Sequence, residues 1–151
     1  AQIESVIDIA PKITHIDSHH NFHRFDSLKD VYIRVAKRYG LAARGGNRKY
    51  CKRLSLQGVK SADYCESAWS RGEISAWNFL SLVTATFNEL NDFAIVEIIT
   101  HPGFFDCSLQ TLSSLTNQRN EELKVLSSTD LIKQLGKQNI KLVSYEELNH
   151  R

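Results

Sequence analysis

"ITHIDSHHNFHRFDSLKDVYIRVAKRYGLAARGG" spans residues 13–46 and reads as strand, polar loop, helix, strand. Ile13 to Ile16 is a short apolar segment that runs into a histidine-rich loop. Leu28, Val31, Tyr32, Val35 and Ala36 then recur at helical spacing, and Gly40 is a C-terminal stop. Asp26 or Ser27 is the expected N-cap. "LAAR" (41–44) is a second short strand. Strands that alternate with helices and run into polar loops point to a parallel α/β sheet or barrel. In such folds the chemistry gathers at the C-terminal ends of the strands.

The flanking sequence extends the pattern. "AQIESVIDIAPK" (1–12) has Ile3, Val6, Ile7 and Ala10 at helical spacing until Pro11 stops it. A helix already under way at Ala1 leads us to expect further sequence upstream. "GGNRKYCKRLSLQGVKSADYCES" (45–67) is polar and reads as a long loop. "GEISAWNFLSLVTATFNEL" (72–90) predicts a helix, with Ile74, Trp77, Phe79, Leu80, Leu82, Val83 and Phe87 on its apolar stripe. "FAIVEIIT" (93–100) predicts a buried strand that ends in "HPGFFD" (101–106). "TNQRNEELKVLSSTDLIKQLGKQN" (116–139) predicts two helices broken near Ser127–Ser128, the second capped by Ser128 or Thr129. "IKLVSY" (140–145) predicts a last strand, and "EELNHR" (146–151) a terminal helical turn.

A chain of 151 residues is expected to form one domain, 1–151. Its 42% hydrophobic and 24% charged residues are ordinary for a globular protein. No apolar run is long enough to span a bilayer and no signal peptide is evident, so we expect no membrane partner and a cytoplasmic location. Cys51, Cys65 and Cys107 are odd in number and lack CxxC spacing, which argues against a disulfide scaffold or a cysteine-rich zinc site. Charge is uneven: residues 31–60 hold nine Lys/Arg and no Asp/Glu, while the rest carries a net −7. Such a block suits an anionic partner, against the plainer reading of a solvated face.

"THIDSHHNFH" (14–23) holds four of the six histidines and one aspartate. In an extended strand His15, Asp17 and His19 share one face. Imidazole and carboxylate together suit a divalent metal such as zinc, with Asp17 able to orient a ligand histidine. If residues 19–23 are helical, His19 and His23 share a face instead. The alternative is a polar network that ties the loop down. His101 follows a strand, and Pro102–Gly103 turns the chain after it. With an ordinary pKa near ~6.5, a histidine there can protonate a leaving group; hydrogen bonding within the turn is the alternative. Asp106 can orient it or cap the next segment. Arg44, at the end of "LAAR", can hold a carboxylate or phosphate. Arg48, Lys49, Lys52 and Arg53 nearby make a phosphorylated substrate conceivable. Interleaved with no aromatic but Tyr50, they disfavour nucleic acid. Trp69 is open to two readings, stacking on a sugar or core packing.

"THIDSHHNFH", "HPGFFD", "RNEELKVLSS" and "KLVSYEEL" occur in the order found in the C-terminal half of the YdjC-like carbohydrate deacetylases, and the chain resembles that family over residues 3–148. The resemblance implies the C-terminal part of a distorted (β/α) barrel of the polysaccharide-deacetylase type, incomplete in this chain. It implies removal of N-acetyl groups from amino sugars or chitooligosaccharides by a hydrolase using Mg2+ or Zn2+. It makes His19 a metal ligand with His15 and His23 as neighbours, His101 the general acid or oxyanion partner, and Arg44, Asp17 and Asn21 substrate-binding residues. Arg119 and Glu122 are expected to pair structurally on a helix. The family commonly reads DSHxHxH, and here Asn21 stands at the middle histidine. The family's "DDFG"-like motif does not occur in these residues. The expected partner is therefore a second copy or the missing N-terminal segment, and the alternative function is a carbohydrate-binding or assembly module without activity.

Overall fold

A computed structural model of the protein describes residues 2–10, 12–90, 93–106, 110–111, 113–114 and 116–148. The chain divides into two compact units. One comprises Ala1–Cys65 with Val143–Arg151, the other Glu66–Leu142.

The first unit begins with helix α1 (Gln2–Ile7) and strand β1 (His15–Ile16). A 3-10 segment, His19–Arg24, leads into α2 (Asp26–Tyr39). The N-cap of α2 is Phe25, without a side-chain bond, rather than Asp26 or Ser27. Asp26 sits inside the helix and pairs with Lys29 one turn on. Gly40 closes α2 in the left-handed region (φ 64°), and its N–H reaches the Ala36 and Lys37 carbonyls. Strand β2 (Ala42–Ala43) then lies parallel to β1, with His15 opposite Ala42 and Ile16 opposite Ala43. The expected β–α–β unit is present.

Residues 45–67 are not one long loop. Asn47 caps helix α3 (Arg48–Leu56) by accepting the Tyr50 N–H at 3.0 Å, and β3 (Tyr64–Glu66) follows. Tyr50, Cys51 and Leu54 are the buried stripe of α3. That spacing is helical, but the surrounding Lys and Arg side chains obscure it in the sequence. Ile33, Ala36, Ala43, Tyr50, Leu54 and Val59 form this unit's core. The short helix α7 (Tyr145–Leu148) closes the described part, and residues 149–151 of the expected last turn lie outside the described residues.

The second unit holds a 3-10 turn (Trp69–Arg71), α4 (Ala76–Glu89), β4 (Val96–Ile98), α5 (Asn117–Leu126) and α6 (Thr129–Lys137). Ser75 and Ser128 are the N-caps of α4 and α6. Trp69, Phe79, Leu80, Val83, Leu131 and Leu135 make its core. Three expectations need correction here. Trp77 is 74% exposed and lies off the buried stripe of α4. Residues 93–100 are half-buried apart from buried Ile99 and exposed Phe93. Residues 140–144 are coil, with Leu142 and Val143 exposed, so no strand forms there.

Candidate functional site

The loop after β1 is built around a break. His20 (φ 52°, ψ 24°) and Asn21 (φ 56°, ψ 35°) are both left-handed. For residues other than glycine that conformation costs roughly 1–2 kcal/mol each, least for Asn. The break ends the strand's alternation and the helix's periodicity together. Asp17 and His19 therefore lie beyond the extended segment, and His19 and His23 do not share a helical face. His19 is exposed and its ring meets His20 edge-on at 4.1 Å.

His23 goes inward, to 1% exposure. Its Nε2 lies 2.8 Å from the Gly45 carbonyl and its Nδ1 2.6 Å from Ser18 Oγ. A carbonyl only accepts, so Nε2 carries the proton and Nδ1 accepts from the Ser18 hydroxyl. Ser18 Oγ in turn accepts the His23 backbone N–H at 3.0 Å. The ring stacks on Tyr32 (4.7 Å) and Tyr50 (5.7 Å). Burial pushes the His23 pKa down, opposed by the Gly45 bond. With both nitrogens engaged, His23 has no lone pair for a metal in this arrangement. It clamps the loop after β1 to the loop after β2. Tyr32 donates to the Ile16 carbonyl at 2.7 Å, and burial raises its pKa far above the ordinary value. Burial likewise pushes the Tyr50 hydroxyl up to about 12.

Arg44 Nη1 pairs with Asp17 Oδ2, joining the ends of the two parallel strands. Oδ1 of Asn21 is buried and has no hydrogen-bond partner among the described residues. His15 is half-buried, its ring stacked on Tyr145 at 3.9 Å and its Nδ1 3.0 Å from Thr14 Oγ1. The first unit thus carries Asp17, His19 and Asn21 on the loop after β1 and Arg44 on the loop after β2, joined by the Asp17–Arg44 pair, with buried His23 as a support. Sequence reasoning missed Ser18, Tyr32, Gly45 and Tyr50 as the partners of His23. The Gly45-Gly46 pair was the available signal. A Cβ at Gly45 would sit 2.4 Å from Cys51 Sγ, so glycine is required for that carbonyl to reach the imidazole.

In the second unit, His101 follows β4. Its backbone N–H donates to Glu122 Oε2, while Gln118 Nε2 donates to Oε1 at 2.8 Å. Glu122 is fully buried on α5, so it anchors the His101 turn. Gly103 N–H adds a bond to the Arg119 carbonyl at 3.1 Å. Nδ1 of His101 is buried without a partner among the described residues. Trp69 is 3% exposed and packs edge-on against Phe79 at 4.9 Å, so of its two readings core packing is the correct one. Cys51 and Cys65 are buried and in no disulfide, and Cys107 lies outside the described residues.

The described donors do not by themselves fit a complete metal centre. No group of three or more His, Cys, Asp or Glu side chains converges among them, and the exposed imidazoles of this loop are those of His19 and His20. No helix of the described residues is long and apolar enough to cross a membrane.

Comparison with known proteins places these features in a lineage. The family model described as "YdjC-like protein" matches residues 1–137. A protein named carbohydrate deacetylase from Brevibacillus brevis is 28% identical over 98% of this chain and 58% of its own length. One of the same name from Geobacillus stearothermophilus is 29% identical over 97% of this chain and 56% of its own. The chain thus spans a little over half the length of these relatives. The crystal structure of a "putative cellobiose-phosphate cleavage protein" from Enterococcus faecalis V583 superposes at a TM-score of 0.82 with 29% identity, over 97% of this chain and 57% of that one. The order of motifs, the parallel β–α–β unit and the family match converge on one conclusion, that this chain belongs to the YdjC-like protein family.

Proposed function

We propose that this chain is part of a carbohydrate deacetylase that hydrolyses N-acetyl groups on amino sugars. The supporting observation is the loop after β1, which carries exposed His19 and the Asp17 that pairs with Arg44 at the end of β2. The loop lies inside the stretch shared with relatives named carbohydrate deacetylase. Asp17 and Arg44 each hold the other's charge and offer further hydrogen bonds to a polar ligand. His19 is one ligand of a divalent cation, Mg2+ or Zn2+, whose other ligands come from outside the described set. Such a cation, if bound, would supply Lewis-acid chemistry for amide hydrolysis. His101 is the proton-handling residue of the second unit, with its backbone fixed by Glu122. The β1–α2–β2 unit is one repeat of a distorted (β/α) barrel.

The incomplete donor set favours a second reading, a sugar-binding module without hydrolytic activity. One assay separates the two. Acetate release from N,N′-diacetylchitobiose is measured for the longest natural chain that contains these residues, and for its His19→Ala variant. Release by the parent that drops at least a hundredfold in a folded variant supports deacetylation. Sugar binding by a folded, metal-loaded parent with no acetate released sinks it in favour of the second reading.

A further inference from the structure

The basic block of residues 31–60 has no role in the site just described, apart from Arg44. We propose that the groove between α2 and α3 is a docking site for an acidic, amphipathic segment of a partner protein. The groove measures about 810 Å³ and lies within the first unit. Val31 and Val35, one helical turn apart on α2, give it an apolar floor, and Val31 is 45% exposed. Arg34, Lys37 and Arg38 of α2 and Arg53 of α3 line it. Arg53 is held by Asp30, the one acidic lining residue, and Arg38 lies 4.0 Å from Glu4 and over the Tyr39 ring. The exposed side chains of Arg34 and Lys37 have no hydrogen-bond or ion-pair partner among the described residues.

This combination selects the occupant. Two unengaged cations beside exposed Val31 and half-buried Val35 complement acidic and apolar groups on one ligand. From Asp30 to Arg38 the groove follows α2 for about 12 Å, at the helical rise of about 1.5 Å per residue, which matches two turns of an opposing helix. Helices are bound in this way through apolar anchors at i, i+3, i+4 and i+7. No aromatic side chain lines the groove, so base stacking, which single-stranded nucleic acid requires, is not on offer. A free phosphate would leave the valine floor uncovered.

The test is fluorescence anisotropy on the intact chain with a labelled helical peptide that carries leucine on one face and glutamate on its flanks. The expected result is saturable binding that weakens as salt rises. It falls at least tenfold in Arg34→Glu/Lys37→Glu, and also in Val31→Asp, with circular dichroism unchanged. Equal affinity for a control peptide with glutamine in place of glutamate overturns the proposal. So does undiminished binding by the charge-reversed variant. Tighter binding of a single-stranded oligonucleotide than of the acidic peptide also overturns it, and makes nucleic acid the occupant.

Discussion

Replacing His23 by phenylalanine separates its two contributions. The new ring still fills the space between Tyr32 and Tyr50 but carries no donor or acceptor. The bonds lost are those to Ser18 Oγ at 2.6 Å and to the Gly45 carbonyl at 2.8 Å. Losing the Ser18 bond costs about 1 kcal/mol net, and stranding the buried Gly45 carbonyl costs about 1–3 kcal/mol. The sum predicts that His23→Phe destabilises the chain by about 2–4 kcal/mol, the desolvation of Gly45 being the larger part. Urea unfolding near neutral pH reads this directly. With an m-value of roughly 1–2 kcal/mol per molar, the midpoint falls by about 1–4 M. His23→Gln restores a donor toward Gly45 and recovers about half of the loss. The pH dependence has a definite sign. Burial holds the His23 pKa in the folded chain below its ordinary 6.5. The unfolded chain therefore binds more protons between the folded value and 6.5. The stability from His23 is fully present above pH 6.5 and is lost as pH falls through the depressed folded value. His23→Phe removes that slope. A His23→Phe chain within about 0.5 kcal/mol of the parent, with the slope intact, would refute the clamp.

Two further substitutions test its surroundings. Gly45→Ala places a Cβ 2.4 Å from Cys51 Sγ and destabilises by about 1–3 kcal/mol, and Cys51→Ala in the same chain recovers part of this because the clash is shared. Additive effects in the double variant would contradict that geometry. Glu122→Gln turns one acceptor toward a donor, either His101 N–H or Gln118, and destabilises by about 2–3 kcal/mol in urea unfolding. An unchanged midpoint would mean that Glu122 is not the anchor of the His101 turn.

The sequence carried the fold where periodicity was clean. Ile13–Ile16, the 28–36 apolar spacing and the Gly40 stop are local signals, and β1, α2 and β2 formed where they point. It failed where charge masked periodicity. Helix α3 was hidden because Lys52 and Arg53 stand between Cys51 and Leu54, although Asn47 is a strong cap. It failed again in 140–145, where Ile140 and Val143 suggested a strand but 140–144 are coil and Tyr145 begins α7. In the site, residue types were legible and directions were not. The two left-handed residues at 20 and 21 decide which imidazole faces inward, and neither is the glycine that would announce such a break. The partners of His23 lie up to 27 residues away along the chain, so no local pattern could supply them. Glu122 was expected on a structural pair, and its acceptance of the His101 N–H, 21 residues away, is a tertiary fact.

The central claim is a division of labour among the loop histidines, with His23 a neutral support and His19 open to a ligand. Long-range 1H–15N correlation of the imidazoles during a Zn2+ titration tests it most directly. His23 is expected to show the Nε2–H tautomer with Nδ1 accepting, and to keep its shifts as zinc is added, while the His19 ring resonances move. Movement of the His23 nitrogens with the metal while those of His19 stay fixed would contradict it.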